Sequence, residues 1–231
     1  MKLGWWMLGL LSQGAWALEP CQPDTRVGSW CQVAIAALQP TQAGIGQLQV
    51  EETARKLAGK RETQLDGYMK KKEIPVVIAP DGGYWLVDRH HLTRALWQTG
   101  VREARVKVIA RLQDERHFWS QMQHNHWAWL KDERGQPIRP EQLPGRIDAL
   151  PDYPYRTLAG LLQDAGYFQK NKQVYFVEFA WASWLGQQMQ WQPVTRENLT
   201  ARLQQAKRLA CTQAARDLPG YPGKQCRSKG P

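Results

Sequence analysis

No stretch of this 231-residue sequence approaches the ~20 consecutive apolar residues that a membrane-spanning helix requires, so stable membrane insertion is not expected. Cysteine is scarce. There are four, none in a CxxC or zinc-type spacing, so they read as staples rather than as catalytic or metal-binding groups. Long runs of like charge are missing. Only Lys70-Lys71-Lys72 stands together, and no basic stripe marks a nucleic-acid groove. Internal repeats and low-complexity segments are absent as well.

What is present begins with an export signal. Lys2 supplies a positive start, Gly4 to Leu11 an apolar core, and Ser12-Gln13-Gly14 a break. Ala15-Trp16-Ala17 is an A-x-A cleavage site, so residues 1–17 are expected to be a signal peptide. Pro20, Cys21, Pro23 and Asp24 follow as the loose start of a mature chain. Periplasmic or secreted localisation follows. An even number of cysteines in an exported chain implies disulfides. Cys21 and Cys31 form one group, Cys211 and Cys226 another. Two local bridges are the simplest pairing; bridges tying the termini together are the alternative.

The balance of 31 basic to 21 acidic residues gives a net charge of +10, one unit of it from Lys2. Such a surplus favours nucleic acid, phosphate esters or an anionic polymer as partners, although scattered basic residues also suit a generally basic exported protein. Three of the 12 tryptophans lie in the signal. Most others, as in Trp181-Ala182-Ser183-Trp184, are spaced as core residues.

Periodicity predicts a strand over Trp30–Leu38, a helix over Val50–Lys60 and a charged helix or loop over 61–73. Ile74–Ala79 is β-branched, with Pro75 placing it early in a strand or at an edge. Asp81-Gly82-Gly83 is a tight turn, and Tyr84–Val87 the returning strand. Helical spacing follows over Arg89–Gln98, alternation over Val101–Leu112, and a helix over Asp114–His124. Trp127–Leu130 is a short strand candidate. Prolines crowd residues 135–154, a boundary or surface-draped connection. Helices then cover Tyr155–Ala165, Val174–Gln190 and Thr195 to about Arg216. The expected architecture is α+β, with a mixed domain over 18–134 and a helical extension over 135–231 packed on it.

The chemistry concentrates at Asp88-Arg89-His90-His91-Leu92-Thr93-Arg94. A strand delivers these groups to a helix start, where unpaired N–H groups and the dipole favour an anion such as phosphate. Arg94 can fork onto phosphate oxygens. His90 or His91 can hold a phosphate or act as a general acid or base. Asp88 can orient an imidazole, hold a metal or serve as a base. An ordinary helix start, with Asp88 as N-cap, would read the same way.

This segment resembles the phosphate-binding turn of the ParB/sulfiredoxin fold, and within that superfamily the ParB-like nuclease group. Leu38-Gln39-Pro40-Thr41-Gln42, Gly46, Val50-Glu51, Asp152–Gly160 and Glu178–Ala182 are also similar to elements of that group, so the likeness covers roughly residues 33–190. It implies a ParB/sulfiredoxin-like front domain. The functional positions it implies are Gln42, Asp88, His90, His91 and Arg94. Two departures stand out: Arg89 replaces a glycine, and Leu92 replaces an arginine common in nucleotide-using relatives. No cysteine lies in the motif, so sulfiredoxin-type reductase chemistry is not expected. Chromosome partition is not expected of an exported chain without a visible helix-turn-helix.

Asp88, His90 and His91 are therefore the catalytic candidates, and Gln42, Arg89, Arg94 and Arg156 the phosphate contacts. A divalent metal would draw on His90 or His91 with His117, His124 and His126, but no acidic pair completes a ligand set. Glu51 or Glu52 could act as an acid or base beside the phosphate site. The reading is an exported nuclease or phosphodiesterase acting on nucleic acid or another phosphate-bearing anion. The alternative is a non-catalytic module that binds an anionic ligand or a partner protein.

Overall fold

The run Val76-Val77-Ile78 is buried at every position because both faces of its strand are covered. In the computed structural model, which describes residues 18–169 and 174–223, this strand is the centre of a mixed five-stranded sheet. The strands are β1 (Trp30–Ala34), β2 (Leu38–Pro40), β3 (Pro75–Ile78), β4 (Tyr84–Leu86) and β5 (Glu103–Arg111). Their order is β1-β5-β3-β4-β2. β1 runs antiparallel to β5 and β4 antiparallel to β3, whereas β3–β5 and β2–β4 are parallel. Pro75 opens β3 where no earlier ladder bond is lost, which reconciles a proline with a central strand.

Among the described residues the α-helices are α1 (Gln47–Ala58), α2 (Glu62–Lys70), α3 (His90–Gln98), α4 (Phe118–His124), α5 (Pro154–Asp164), α6 (Val177–Gln188) and α7 (Leu199–Ala210). On one sheet face Val76, Ile78, Ala104, Val106 and Val108 pack against Val50 and Leu57 of α1 and Leu92 and Leu96 of α3. On the other, Val77 and Ala79 pack with Phe118, Met122, Ala128 and Leu130. The rear helices keep a separate core around Trp181, which stacks on Phe168 at 4.6 Å and donates its Nε1–H to the Pro219 carbonyl. Ile147 and Leu150 of the proline-rich segment pack into the first core, on the sheet side of the molecule. No helix among the described residues is long and apolar enough to cross a membrane.

Several element boundaries differ from expectation. The apolar run Trp30–Leu38 is two strands on opposite sheet edges, separated by a 3₁₀ turn over Ile35–Ala37. Hydropathy cannot register such a break, since both halves are apolar. Trp127–Leu130 forms no strand and contributes an isolated bridge, Gln42 to Trp129. The last helix starts at Leu199, because Asn198 Oδ1 accepts the Thr195 N–H and holds 195–198 in a turn. Cys21 and Cys31 are bridged. Cys211 is also disulfide-bonded. Cys226 and the expected signal at 1–17 lie outside the described residues.

Candidate functional site

Strand β4 ends at Leu86, and the chain must turn sharply to enter α3. The turn is made at Arg89, with φ 67° and ψ 23°, a left-handed conformation that costs a side-chain-bearing residue about 1 kcal/mol or more. Glycine adopts it without that cost, which explains the glycine of the related motifs. The Arg89 N–H is donated to Asp88 Oδ1 at 2.6 Å, and its Nε–H to the Glu73 carbonyl at 3.3 Å.

The loop leaving β2 folds over this turn. Thr41 Oγ1 donates to the Leu86 carbonyl at 2.8 Å. The Thr41 N–H reaches His90 Nε2 and the Gly46 N–H reaches His91 Nε2, both at 3.2 Å. The adjacent histidines thus tie the β2–α1 loop to the start of α3. Gln42 Nε2 donates to the Gly44 carbonyl at 2.8 Å. Gly44 lies beneath the Tyr153 ring, where a Cβ would sit only 2.4 Å from a ring carbon. Asp152 Oδ1 accepts the Gln47 N–H and closes the first turn of α1.

His90 is 4 % exposed. Burial pulls its pKa down to about 4, Arg156 acts in the same direction, and Asp88 and the hydrogen bond to the Leu86 backbone oppose them. The ring is therefore neutral near pH 7. Its Nε2 accepts from Thr41, which places the proton on Nδ1.

Arg156, in the first turn of α5, approaches from the rear helices. Its side chain is 11 % exposed and lies 3.6 Å from Glu178 in the first turn of α6, which is equally buried. The guanidinium also stands 5.2 Å from the Phe179 ring centroid. Among the described residues its Nε has no hydrogen-bond partner. Burial lowers the Arg156 pKa, while Glu178, Asp88 and Asp164 hold it up.

These elements enclose a cleft of about 390 Å³ lined by Gln42, Asp88, His90, His126, Arg156 and Tyr175 among others. Four expected site residues, Gln42, Asp88, His90 and Arg156, meet there. Arg89 and His91 are not in the lining. Neither is Arg94, whose Nη1 donates to the Ile147 carbonyl at 3.5 Å. Glu51 pairs with Arg196, and Glu52 with Arg55 and Lys56, also outside this cleft. His117 bonds Asp114 at 2.7 Å, which lowers the Asp114 pKa, and His126 stacks on Tyr175. Among the described residues no three His, Cys, Asp or Glu side chains converge as metal ligands.

Nothing in the sequence marks Tyr175 as a site residue, and Glu178 stands out only within the Glu178–Ala182 segment. A lone glutamate opening an apolar helix was the available signal for Glu178.

The family described as "Putative ParB-like nuclease" matches residues 31–187, from β1 to the end of α6. The crystal structure of protein Atu1540 from Agrobacterium tumefaciens is 31% identical, covering 84% of this chain and 97% of that one, with a TM-score of 0.73. The C-terminally truncated chromosome-partitioning protein ParB from Caulobacter crescentus, complexed with CTP-gamma-S, is 12% identical over 87% of this chain and 99% of that one, with a TM-score of 0.30. No curated protein matches. The family match takes in both walls of the cleft, the Asp88–His90 turn and the Arg156–Glu178 pair, and on it this chain belongs to the family described as "Putative ParB-like nuclease".

Proposed function

We propose that the cleft binds a phosphodiester and that the protein cleaves it as a nuclease. The observation that carries this reading is Arg156, a largely buried guanidinium in the cleft wall whose Nε–H has no acceptor among the described residues. A buried donor without an acceptor costs about 1–3 kcal/mol, which a phosphate oxygen would recover. The net charge of +10 supports an anionic substrate.

In this reading Arg156 holds the non-bridging oxygens and stabilises the charge that develops on them. Asp88 takes a proton from water as the water oxygen bonds to phosphorus. The scissile P–O bond breaks, and the departing oxygen is protonated from solvent in the open cleft. His90, neutral and bonded to backbone, positions the loop carrying Gln42. That engagement also favours a second reading, binding without cleavage, because it leaves Asp88 as the lining carboxylate on the turn.

The test is cleavage of single- and double-stranded DNA and of RNA by the disulfide-intact protein, with Mg²⁺, Mn²⁺, Zn²⁺ or EDTA. The wild type should cut, and Asp88→Asn should cut ~100-fold or more slowly while still binding. A correctly folded wild type that binds but cuts none of these substrates moves the conclusion to the binding module.

We also infer that the protein is exported. The Ala15-Trp16-Ala17 site and the Cys21–Cys31 bridge support this, since disulfides persist in oxidising compartments. Protein recovered from the producing cells should begin at Leu18. A reduced chain that still begins at Met1 would count decisively against export.

A further inference from the structure

Three large apolar side chains are exposed among the described residues, and two of them, Val174 at 37 % and Tyr175 at 51 %, stand in the lining of the Arg156 cleft. Ligand clefts are lined largely by apolar and aromatic side chains, and these two sit together at one. Tyr175 is held flat. Its ring stacks on His126 with centroids 4.0 Å apart and planes 11° apart. Both sides of the stack are fixed by unusual backbone: His126 has φ 58°, and Phe176, next to Tyr175, has φ 55°. Non-glycine residues keep such angles only where the surrounding structure over-determines them. Trp127, Phe176 and Phe179 continue the aromatic lining behind the stack.

The cleft therefore places a planar aromatic platform in the same enclosure as a buried guanidinium. A flat hydrophobic face answers a flat heterocycle, and a guanidinium answers a phosphate. Together they match one nucleotide unit whose base is free to leave its neighbours. In a duplex both faces of each base are already covered, so such a platform has nothing to stack on unless the base is first pulled out. In a single strand every base offers a π-face, whatever its identity.

We propose that the cleft selects single-stranded polynucleotide, stacking one unpaired base on the Tyr175–His126 pair while Arg156 holds an adjoining phosphate. This inference rests on the reading of the cleft as a phosphodiester site. It adds what that reading leaves open, namely strandedness and tolerance of base sequence.

Fluorescence anisotropy at one fixed salt concentration tests it with four labelled probes of equal length: single-stranded DNA, single-stranded RNA, duplex DNA, and a single strand with abasic positions. The intact single strands should bind ~10-fold or more tightly than the duplex or the abasic strand. Tyr175→Ala should erase that difference, and Tyr175→Trp should keep it. Circular dichroism of each variant separates these effects from misfolding. Equal affinity for intact, abasic and duplex probes, weakened alike by Arg156→Gln, would overturn the stacking inference and leave the phosphate site standing. Binding to none of the four would overturn the phosphodiester reading itself, and the inference with it.

Discussion

Arg156→Met will lower the melting temperature by about 10 °C, and the double variant Arg156→Met/Glu178→Leu will recover most of that loss. The two charges face each other at 3.6 Å with side chains only 11 % exposed, so each is a close countercharge for the other in a poorly solvated place. Removing the guanidinium alone takes a close countercharge away from a buried carboxylate, which costs roughly 3 kcal/mol, and a domain of this size loses about 2–4 °C for each kcal/mol. Replacing both charges with apolar groups removes the penalty, because a buried ion pair gains little over a well-packed hydrophobic pair. Thermal unfolding by circular dichroism reads both numbers. Substrate binding should stay lost in the double variant although its fold is restored, which separates the structural role of Arg156 from its proposed role in recognition. A single variant as stable as the wild type would mean that the pair contributes nothing to the fold.

The second large effect is a pH dependence set by His90. Its pKa is about 4 in the folded protein against 6.5 for the ordinary side chain. The unfolded chain therefore takes up the proton first as the pH falls. The stability that depends on neutral His90 is fully present above pH 6.5. It is lost progressively between pH 6.5 and 4, with no further loss from this group below that. At ~1.4 kcal/mol per pH unit the loss amounts to about 3 kcal/mol. Its physical origin is burial: a charged imidazole would sit without water beside Arg156, and its Nε2 could no longer accept the Thr41 N–H. His90→Gln cannot titrate and offers an amide acceptor near the same place. Urea unfolding at pH 4 and pH 7 should show the wild type losing about 3 kcal/mol more than the variant across that interval. Equal losses in the two proteins would refute the assignment.

The hairpin and the helix after it were legible because each signal is local. A β-branched run, an Asp-Gly-Gly turn and a 3.6-residue spacing lie within one stretch of chain, and they became β3, β4 and α3. The placement of Gln42 beside His90 was legible only through resemblance, since the bond from Thr41 spans 49 positions. Tyr175 and Glu178 were not legible as site residues. They reach the cleft only when α5 and α6 dock beside the sheet, and nothing in their own segment records that docking. The backbone at Arg89 was hidden for a different reason. Arginine carries no preference for positive φ, so only the glycine of related motifs hinted at the turn. The break in the Trp30–Leu38 run was invisible because a 3₁₀ turn of apolar residues carries the same hydropathy as a strand.

One consequence of the strand order concerns the sequence of events during folding. β1 is the first strand in the chain, yet its sheet neighbour is β5, with Trp30 opposite Lys107 and Ala34 opposite Glu103. β2, at the other edge, pairs with β4, which arrives some twenty residues sooner than β5. The hairpin of β3 and β4 can close locally and capture β2, but β1, bridged on its outer edge only by Gln32 to Pro20, must wait for its β5 partner until the chain has passed Arg111. Such late, non-local closure slows folding and leaves a strand edge open to wrong partners. The Cys21–Cys31 bridge, spanning 10 positions, needs no part of β5 and can form while β1 waits. Pairing of β1 with β5, rather than assembly of the site, is thus the step of folding that depends on the most distant parts of the chain.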